Sequence, residues 1–230
     1  MDSEEFGGAF GDILSRERRH TDYMTTTYTV GLDLGQSQDF TAVSVLRLHL
    51  NKLEIVHLER YPLGTSYPDI VRKVKSLLAT PKLAGKSTLV VDYTGCGRPV
   101  VDMLREKGLQ CEAISITSGG KARQEYKNGK PTHNWFCPKL DLVSVLQVLM
   151  QNHKLEIAQG LKNGDTLARE LKGFKSKISQ SGHTRFEADT SWREEGNDDL
   201  ILSVALASWW ATRRPQPKIP MRMMSSIARM

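Results

Sequence analysis

The sequence predicts a mixed α/β domain, one sheet with helices laid against it. Three observations predict it. Residues 28–61 hold three short runs rich in β-branched and apolar residues, spaced as a meander. Residues 87–116 read as strand, helix, strand, the length of a right-handed crossover that pairs two strands in parallel. Further stretches carry apolar residues at helical spacing.

Residues 1–27 read as a linker or docking arm, with glycine-rich Phe6-Gly7-Gly8-Ala9-Phe10-Gly11, the charge run Arg16-Glu17-Arg18-Arg19-His20 and no clear periodicity. Strands are expected at 28–34, 40–48 and 52–61, with a tight turn at Asn51-Lys52. An amphipathic helix at about 67–79 puts Ile70, Val71, Val74, Leu77 and Leu78 on one stripe. Ser87 to Asp92 is a buried strand. A helix then opens near Arg98-Pro99, where a first-turn proline loses no hydrogen bond, and ends near Lys107-Gly108. Cys111 to Ile116 is the next strand.

From Ser118 to Trp135 the text is polar and basic, a long loop or an exposed hairpin. A helix from Lys139 to Gln151 carries Leu142, Val145, Leu146 and Leu149 on its core face, and a shorter one at 165–174 turns Leu167, Leu171 and Phe174 inward. Ile178 to Ala188 reads as a hairpin around Ser181-Gly182, and Asn197-Asp198-Asp199 opens a last helix to about Thr212. The tail from Arg213 to Met230 is basic and proline-broken, so the folded domain is expected at 28–212.

Bulk composition narrows the class. At 230 residues, 39% hydrophobic and 25% charged, the chain reads as a soluble globular protein with one sizeable core. A net charge of +6 leans toward anionic partners such as nucleic acid. Cys96, Cys111 and Cys137 show no close-pair spacing, so neither a zinc site nor a disulfide framework is expected. The acidic start Met1-Asp2-Ser3-Glu4-Glu5 is unlike a signal peptide, and the longest apolar run, Leu200 to Ala211, falls short of the ~20 residues a membrane helix needs.

Two phosphate-binding imitations fail on context. Gly85-Lys86-Ser87 ends like a P-loop, but Thr80 stands where its first glycine belongs and Ser87 begins a strand. Gly95-x-Gly97 imitates a dinucleotide-binding turn, yet Val100 replaces the third glycine and no acidic residue ends the next strand.

Carboxylates carry the stronger signal. Asp33 ends the first strand of the stretch Val30 to Ala42, Asp92 ends the fourth strand, and Asp198-Asp199 opens the last helix. Buried neighbouring carboxylates repel one another unless a cation neutralises them, and Mg²⁺ or Mn²⁺ prefers oxygen ligands. Two such ions about 3.5–4 Å apart clamp both oxygens of a phosphodiester displacement. Singly, each acid has a plainer explanation: Asp198 or Asp199 as a helix N-cap, Asp92 as a turn cap, Asp33 as a turn residue. An Asp-x-Gly strand end also cradles ATP phosphates in actin-like and sugar-kinase-like phosphotransferases, but those need two related domains and only one such strand pair is present here.

Four motifs stand in a familiar order. They are Val30-Gly31-Leu32-Asp33-Leu34-Gly35 with Asp39-x-Thr41-Ala42; Val91-Asp92-Tyr93-Thr94-Gly95-x-Gly97; Ala168-Arg169-Glu170-Leu171; and Asn197-Asp198-Asp199-Leu200 before Ala205-Leu206-Ala207. The chain thereby resembles the C-terminal nuclease domain of phage terminase large subunits across about residues 28–211. The resemblance implies an RNase H-like fold, with a mixed five-stranded sheet and flanking helices. It also implies an endodeoxyribonuclease using Mg²⁺ or Mn²⁺, expected as two ions, that cuts concatemeric viral DNA during packaging in the bacterial host cytoplasm.

By position, Asp33, Asp92 and Asp199 match the metal-binding, catalytic triad, and Asp198 and Asp39 match auxiliary acidic positions. Family members often have histidine before the acidic pair, where this chain has Asn197. No Walker motif is present, so the chain reads as an isolated domain or as the nuclease half of a split protein. The partners implied are double-stranded DNA, the terminase ATPase domain, the small terminase subunit and the portal protein. For DNA contact the sequence offers Lys121, Arg123, Lys127, Lys130, Lys172, Lys175, Lys177 and Arg185, whose charges would neutralise phosphates. His183, in the expected hairpin, reads as a solvated turn residue, with proton transfer as the alternative. Branched-DNA resolvases share the fold, and a non-catalytic DNA-docking module is the competing reading from another class.

Overall fold

A computed structural model describes residues 26–35, 39–49, 52–180 and 198–213, the side chains of 173–180 excepted. The strands are β1 (Thr27–Asp33), β2 (Ala42–His49), β3 (Lys52–Arg60), β4 (Ser87–Asp92), β5 (Cys111–Thr117), β6 (Arg123–Lys127), β7 (Lys130–Pro138) and β8 (Leu155–Ile157). The helices are α1 (Tyr67–Leu78), α2 (Gly97–Glu106), α3 (Lys139–Gln151), α4 (Gly164–Gln180) and α5 (Asp199–Arg213).

All eight strands form one sheet in the order β6-β7-β5-β4-β1-β2-β3-β8. Its middle is the mixed five-stranded arrangement expected: β3, β2 and β1 are antiparallel neighbours, and β4 and β5 continue parallel to β1. Three more strands widen it. The basic stretch after β5 resolves into the β6–β7 hairpin, turning on Asn128 and Gly129 at φ 53° and 73°, the pair of positive angles a tight hairpin turn requires. At the other edge, β8 pairs in parallel with Leu53–Ile55 of β3. Three residues are too few to show a period, which is why β8 was not legible.

The sheet is covered on both sides. On one face Ile70, Val71 and Val74 of α1 and Val100, Val101 and Leu104 of α2 pack against Val30, Leu32, Leu89 and Val91. On the other, α3, α4 and α5 pack against Ala42, Leu46, Leu58, Val90 and Ile114. Every residue of α5 from Leu200 to Ala211 is buried, which explains an apolar run with no polar side: the helix lies between the sheet and its neighbouring helices. Among the described residues no helix is long and apolar enough to cross a membrane.

One expectation needs correction. The helix expected at 165–174 runs on to Gln180, so the hairpin expected from Ile178 cannot begin there; its remainder, 181–188 with His183, lies outside the described residues. The first described strand, β1, begins at Thr27, and α5 ends at Arg213, whose guanidinium lies 4.5 Å from the ring centre of Trp209. The rest of the leading segment and of the tail lies outside the described residues.

Candidate active site

The strand register builds the site. Leu32 pairs with Val91 across the parallel β1–β4 ladder, so the next residues, Asp33 and Asp92, end neighbouring strands side by side. Across the antiparallel ladders Asp33 stands opposite Ala42, and Ala42 opposite Arg60. Asp92, Asp33, Ala42 and Arg60 thus form one row over four strands.

Alternation fixes their common face. Val30 and Leu32 belong to the α1–α2 side, which leaves Gly31 and Asp33 on the α5 side. Val90 and Leu58, two residues before Asp92 and Arg60, also face α5. Asp33 and Asp92 are only 6% and 3% exposed.

Three glycines bring the backbone in close around these acids. A Cβ at Gly31 would lie 1.9 Å from the Ser203 carbonyl oxygen, so α5 rests directly on β1 two residues before Asp33. Asp199 is one helical turn before Ser203, at the end of α5 nearest the row. A Cβ at Gly97 would come within 2.0 Å of the Asp92 carbonyl oxygen, so the second glycine of the apparent dinucleotide turn serves a backbone contact instead. At Gly35 the obstruction is the Asp39 carbonyl oxygen at 2.2 Å, and the Gly35 N–H donates to Thr41 Oγ1 at 3.2 Å, closing the loop beyond Asp33. Cys96 Sγ donates to the Leu34 carbonyl at 3.3 Å, tying the loop after Asp92 to the loop after Asp33. The Thr94 N–H donates to Asp92 Oδ1 at 2.7 Å.

Over the row sit two more acids joined by a cation. Arg60 Nη2 donates to Glu170 Oε1 of α4 at 2.6 Å, and Arg60 Nε lies 3.5 Å from Asp199 Oδ2. The side chains of Arg60, Glu170 and Asp199 are 17%, 12% and 12% exposed. Burial pushes the Asp199 carboxyl up to about 6, against the pull of Arg60, with Asp39 and Asp198 adding to the rise. Burial likewise pushes Glu170 up to about 7, opposed by Arg60 and reinforced by Asp198 and Asp199. Asp39 and Asp198 are therefore within electrostatic reach of Asp199. Asp39 is exposed, and it lines a cavity of about 260 Å³ with Gly35, Thr41, Pro62, Gly64, Thr65, Ser66 and Tyr67.

Arg60 is a site residue that the sequence reading did not name, and Glu170 stood there only inside the motif Ala168-Arg169-Glu170-Leu171, with no role assigned. A signal for each was present. Glu170 falls at the i+3 position of the Leu167–Leu171 stripe, an acid within an apolar face, and Arg60 falls on the buried side of β3 two residues after Leu58.

The donor set suits a hard divalent cation, since it is all carboxylate oxygen. Asp199 Oδ2 and Glu170 Oε2 are buried and make no hydrogen bond, which costs stability, and Asp199 Oδ2 has only the longer ion pair to Arg60 at 3.5 Å to offset it. Among the described residues, no three Asp, Glu, His or Cys side chains converge on one point at metal-ligating distance. Asp199 is directed at Arg60 instead.

The basic candidates divide by position. β6 runs antiparallel to β7 with Arg123 opposite Phe136, which brings Lys121 and Arg123 to the carboxylate end of the sheet. Lys127 and Lys130 flank the hairpin turn at the opposite end, roughly 13 Å along the strand from Arg123. Lys172 is exposed on α4, the helix that carries Glu170. Lys175 and Lys177 belong to the same helix, but their side chains lie outside the described set, as does Arg185 altogether.

Comparison with known proteins bears out the family resemblance. Over 201 residues the chain is 28% identical to the large terminase subunit of Thermus virus P23-45 and 27% identical to that of Thermus phage G20c, matches that take in 85% of this chain. They take in 35% of each relative, so the chain spans about a third of the length of the relatives it matches. The solved structure of the large terminase nuclease from phage G20c with bound magnesium is similar at a TM-score of 0.50 and 22% identity, over 80% of both chains. The fold is accordingly RNase H-like, a mixed sheet with helices on both faces. No protein-family model matches the chain.

Proposed function

We propose that the chain is the nuclease part of a terminase large subunit, a metal-dependent endonuclease that cuts concatemeric phage DNA during genome packaging. The observation that carries this reading is the row of buried carboxylates, Asp33 beside Asp92, with Asp199 set over it by the contact of α5 on Gly31. The similarity to terminase large subunits and the magnesium in the solved G20c nuclease support it.

Asp33, Asp92 and Asp199 would hold Mg²⁺ or Mn²⁺, with Asp198, Asp39 and Glu170 close enough to shape the field. The chemistry supplied there by such ions, two in the fullest form of the reading, would be charge to offset the phosphodiester oxygens and a lowered pKa for the attacking water. The chain itself contributes fixed geometry. Strand ends fix Asp33 and Asp92, and a helix buried from Leu200 to Ala211 fixes the backbone that carries Asp199, so only the Asp199 side chain is left to order. DNA would cross the carboxylate end of the sheet between Lys121 and Arg123 on one flank and the α4 lysines, beginning with Lys172, on the other. Contacts of that kind grip phosphates without reading bases. The ATPase that drives packaging, the small subunit and the portal are the partners this reading calls for.

Plasmid nicking with purified protein tests the proposal. Cutting should require Mn²⁺ or Mg²⁺ and should be lost in Asp33→Asn. Metal-independent cutting, or full activity in Asp33→Asn, would refute it.

A further inference from the structure

The carboxylate site contains its own cation. Arg60 lies in the same row as Asp33, two strands away, with Ala42 between them in the register. It reaches Glu170 at 2.6 Å on one side and Asp199 at 3.5 Å on the other, and all three side chains are largely buried. The Phe40 ring, 5.3 Å from the guanidinium carbon, covers it further. Arginine suits this place because its fork can hold two carboxylates at once without losing charge. Asp199, the acid that would complete a metal site with Asp33 and Asp92, lies 3.5 Å from Arg60, and among the described residues no three acids converge at metal-ligating distance.

We propose that Arg60 is a positioning residue that competes with the metal ion: clamped by Glu170, its guanidinium holds Asp199 when no ion is bound, and metal binding draws that carboxylate from Arg60 toward Asp33 and Asp92. The proposal rests on the metal-dependent reading of the site. Glu170 is then no direct ligand but the anchor that keeps Arg60 in place once Asp199 leaves. The arrangement keeps the buried acids compatible with a folded site in the absence of metal. Its cost is affinity, because the ion must displace a resident positive charge.

The test is Mn²⁺ affinity, by calorimetry or by the electron spin resonance of free Mn²⁺, for the parent protein, Arg60→Gln and Arg60→Lys. Thermal unfolding of each in a chelator is measured alongside. Removing a unit positive charge within about one side-chain length of a divalent ion favours binding by a factor of about ten or more, even at an effective dielectric near 20. Arg60→Gln should therefore bind Mn²⁺ at least tenfold more tightly while unfolding at a lower temperature in the chelator. Arg60→Lys keeps the charge and should stay within about threefold of the parent. A merely structural Arg60 predicts the opposite, unchanged or weaker Mn²⁺ binding in Arg60→Gln, and that result overturns the proposal. Should Arg60→Gln fail to fold, Glu170→Gln gives a second reading. Losing the anchor loosens Arg60, so Mn²⁺ binding should tighten about threefold, and unchanged or weaker binding overturns the idea. A parent protein that binds no Mn²⁺ refutes the metal reading together with this one, whereas a parent that binds and variants that do not differ from it refute this one alone.

Discussion

Replacing Asp199 by asparagine should make the metal-free protein more stable while destroying its proposed activity. The side chain is 12% exposed, and its carboxyl is pushed from 3.8 up to about 6, chiefly by burial. Asp39 and Asp198 add repulsion, and Arg60 offsets only part of the rise. A folded-state value above the unfolded one means that the native protein holds the proton more firmly. Stability is then lost as pH rises from about 4 through 6, and the loss is complete above that window. Across that window of about two pH units, at about 1.4 kcal/mol for each, the ionised carboxylate comes to cost roughly 3 kcal/mol at pH 8.

Asparagine keeps the shape and removes the charge. Denaturant unfolding in a chelator should show Asp199→Asn more stable than the parent by about 1–3 kcal/mol at pH 8, with the gap reduced by about half at pH 5. In millimolar Mn²⁺ the order should reverse, because only the parent gains a ligand. A variant no more stable than the parent at pH 8, or a gap that does not narrow at pH 5, would show that ionised Asp199 is not strained as described.

Three further outcomes follow from the same geometry. Gly31→Ala places a Cβ against the Ser203 carbonyl, so α5 must shift; thermal unfolding should register a loss of about 1–3 kcal/mol and Mn²⁺ titration a weaker site, whereas an unaffected protein would mean that α5 does not rest on β1. With Asp199 at about 6, metal binding at pH 6 should release about half a proton, falling toward none at pH 8; calorimetry in two buffers of different ionisation enthalpy measures it. The paired change Lys121→Glu with Arg123→Glu should weaken DNA binding and lower its salt slope by about 2, while Lys127→Glu with Lys130→Glu, at the far end of the hairpin, should do less. Equal effects of the two pairs would refute the groove drawn across the carboxylate end.

Asp33, Asp92 and the pair Asp198-Asp199 could be picked out in the sequence because each ends or begins an element whose period is visible, while the choice of Asp199 within the pair came from the family resemblance. An acid after an apolar strand interrupts a pattern, and an acid before a helix opens one. Their juxtaposition was open to expectation alone, since it depends on which strands become neighbours. Arg60 and Glu170 each leave a local signal, a charge on the buried side of a strand and an acid in an apolar stripe, but such a signal does not name the partner. Their partnership spans 110 positions, and no local pattern encodes it. The sheet's extra width was hidden similarly, in a three-residue strand and in a hairpin whose polar composition is that of a loop.

The helix that carries Asp199 ends among tryptophans. Trp209 and Trp210 lie near its C-terminus, and Trp135 of β7 meets both edge-on at centroid distances of 6.1 and 5.3 Å. Three of the chain's four tryptophans therefore report on one rod, roughly 15 Å from the carboxylate at its other end. Intrinsic fluorescence becomes a strain gauge for the site. An ion that merely exchanges one carboxylate partner for another should leave the emission almost unchanged, whereas any event that slides the rod along the sheet should alter the indole packing and be seen as a shift in wavelength.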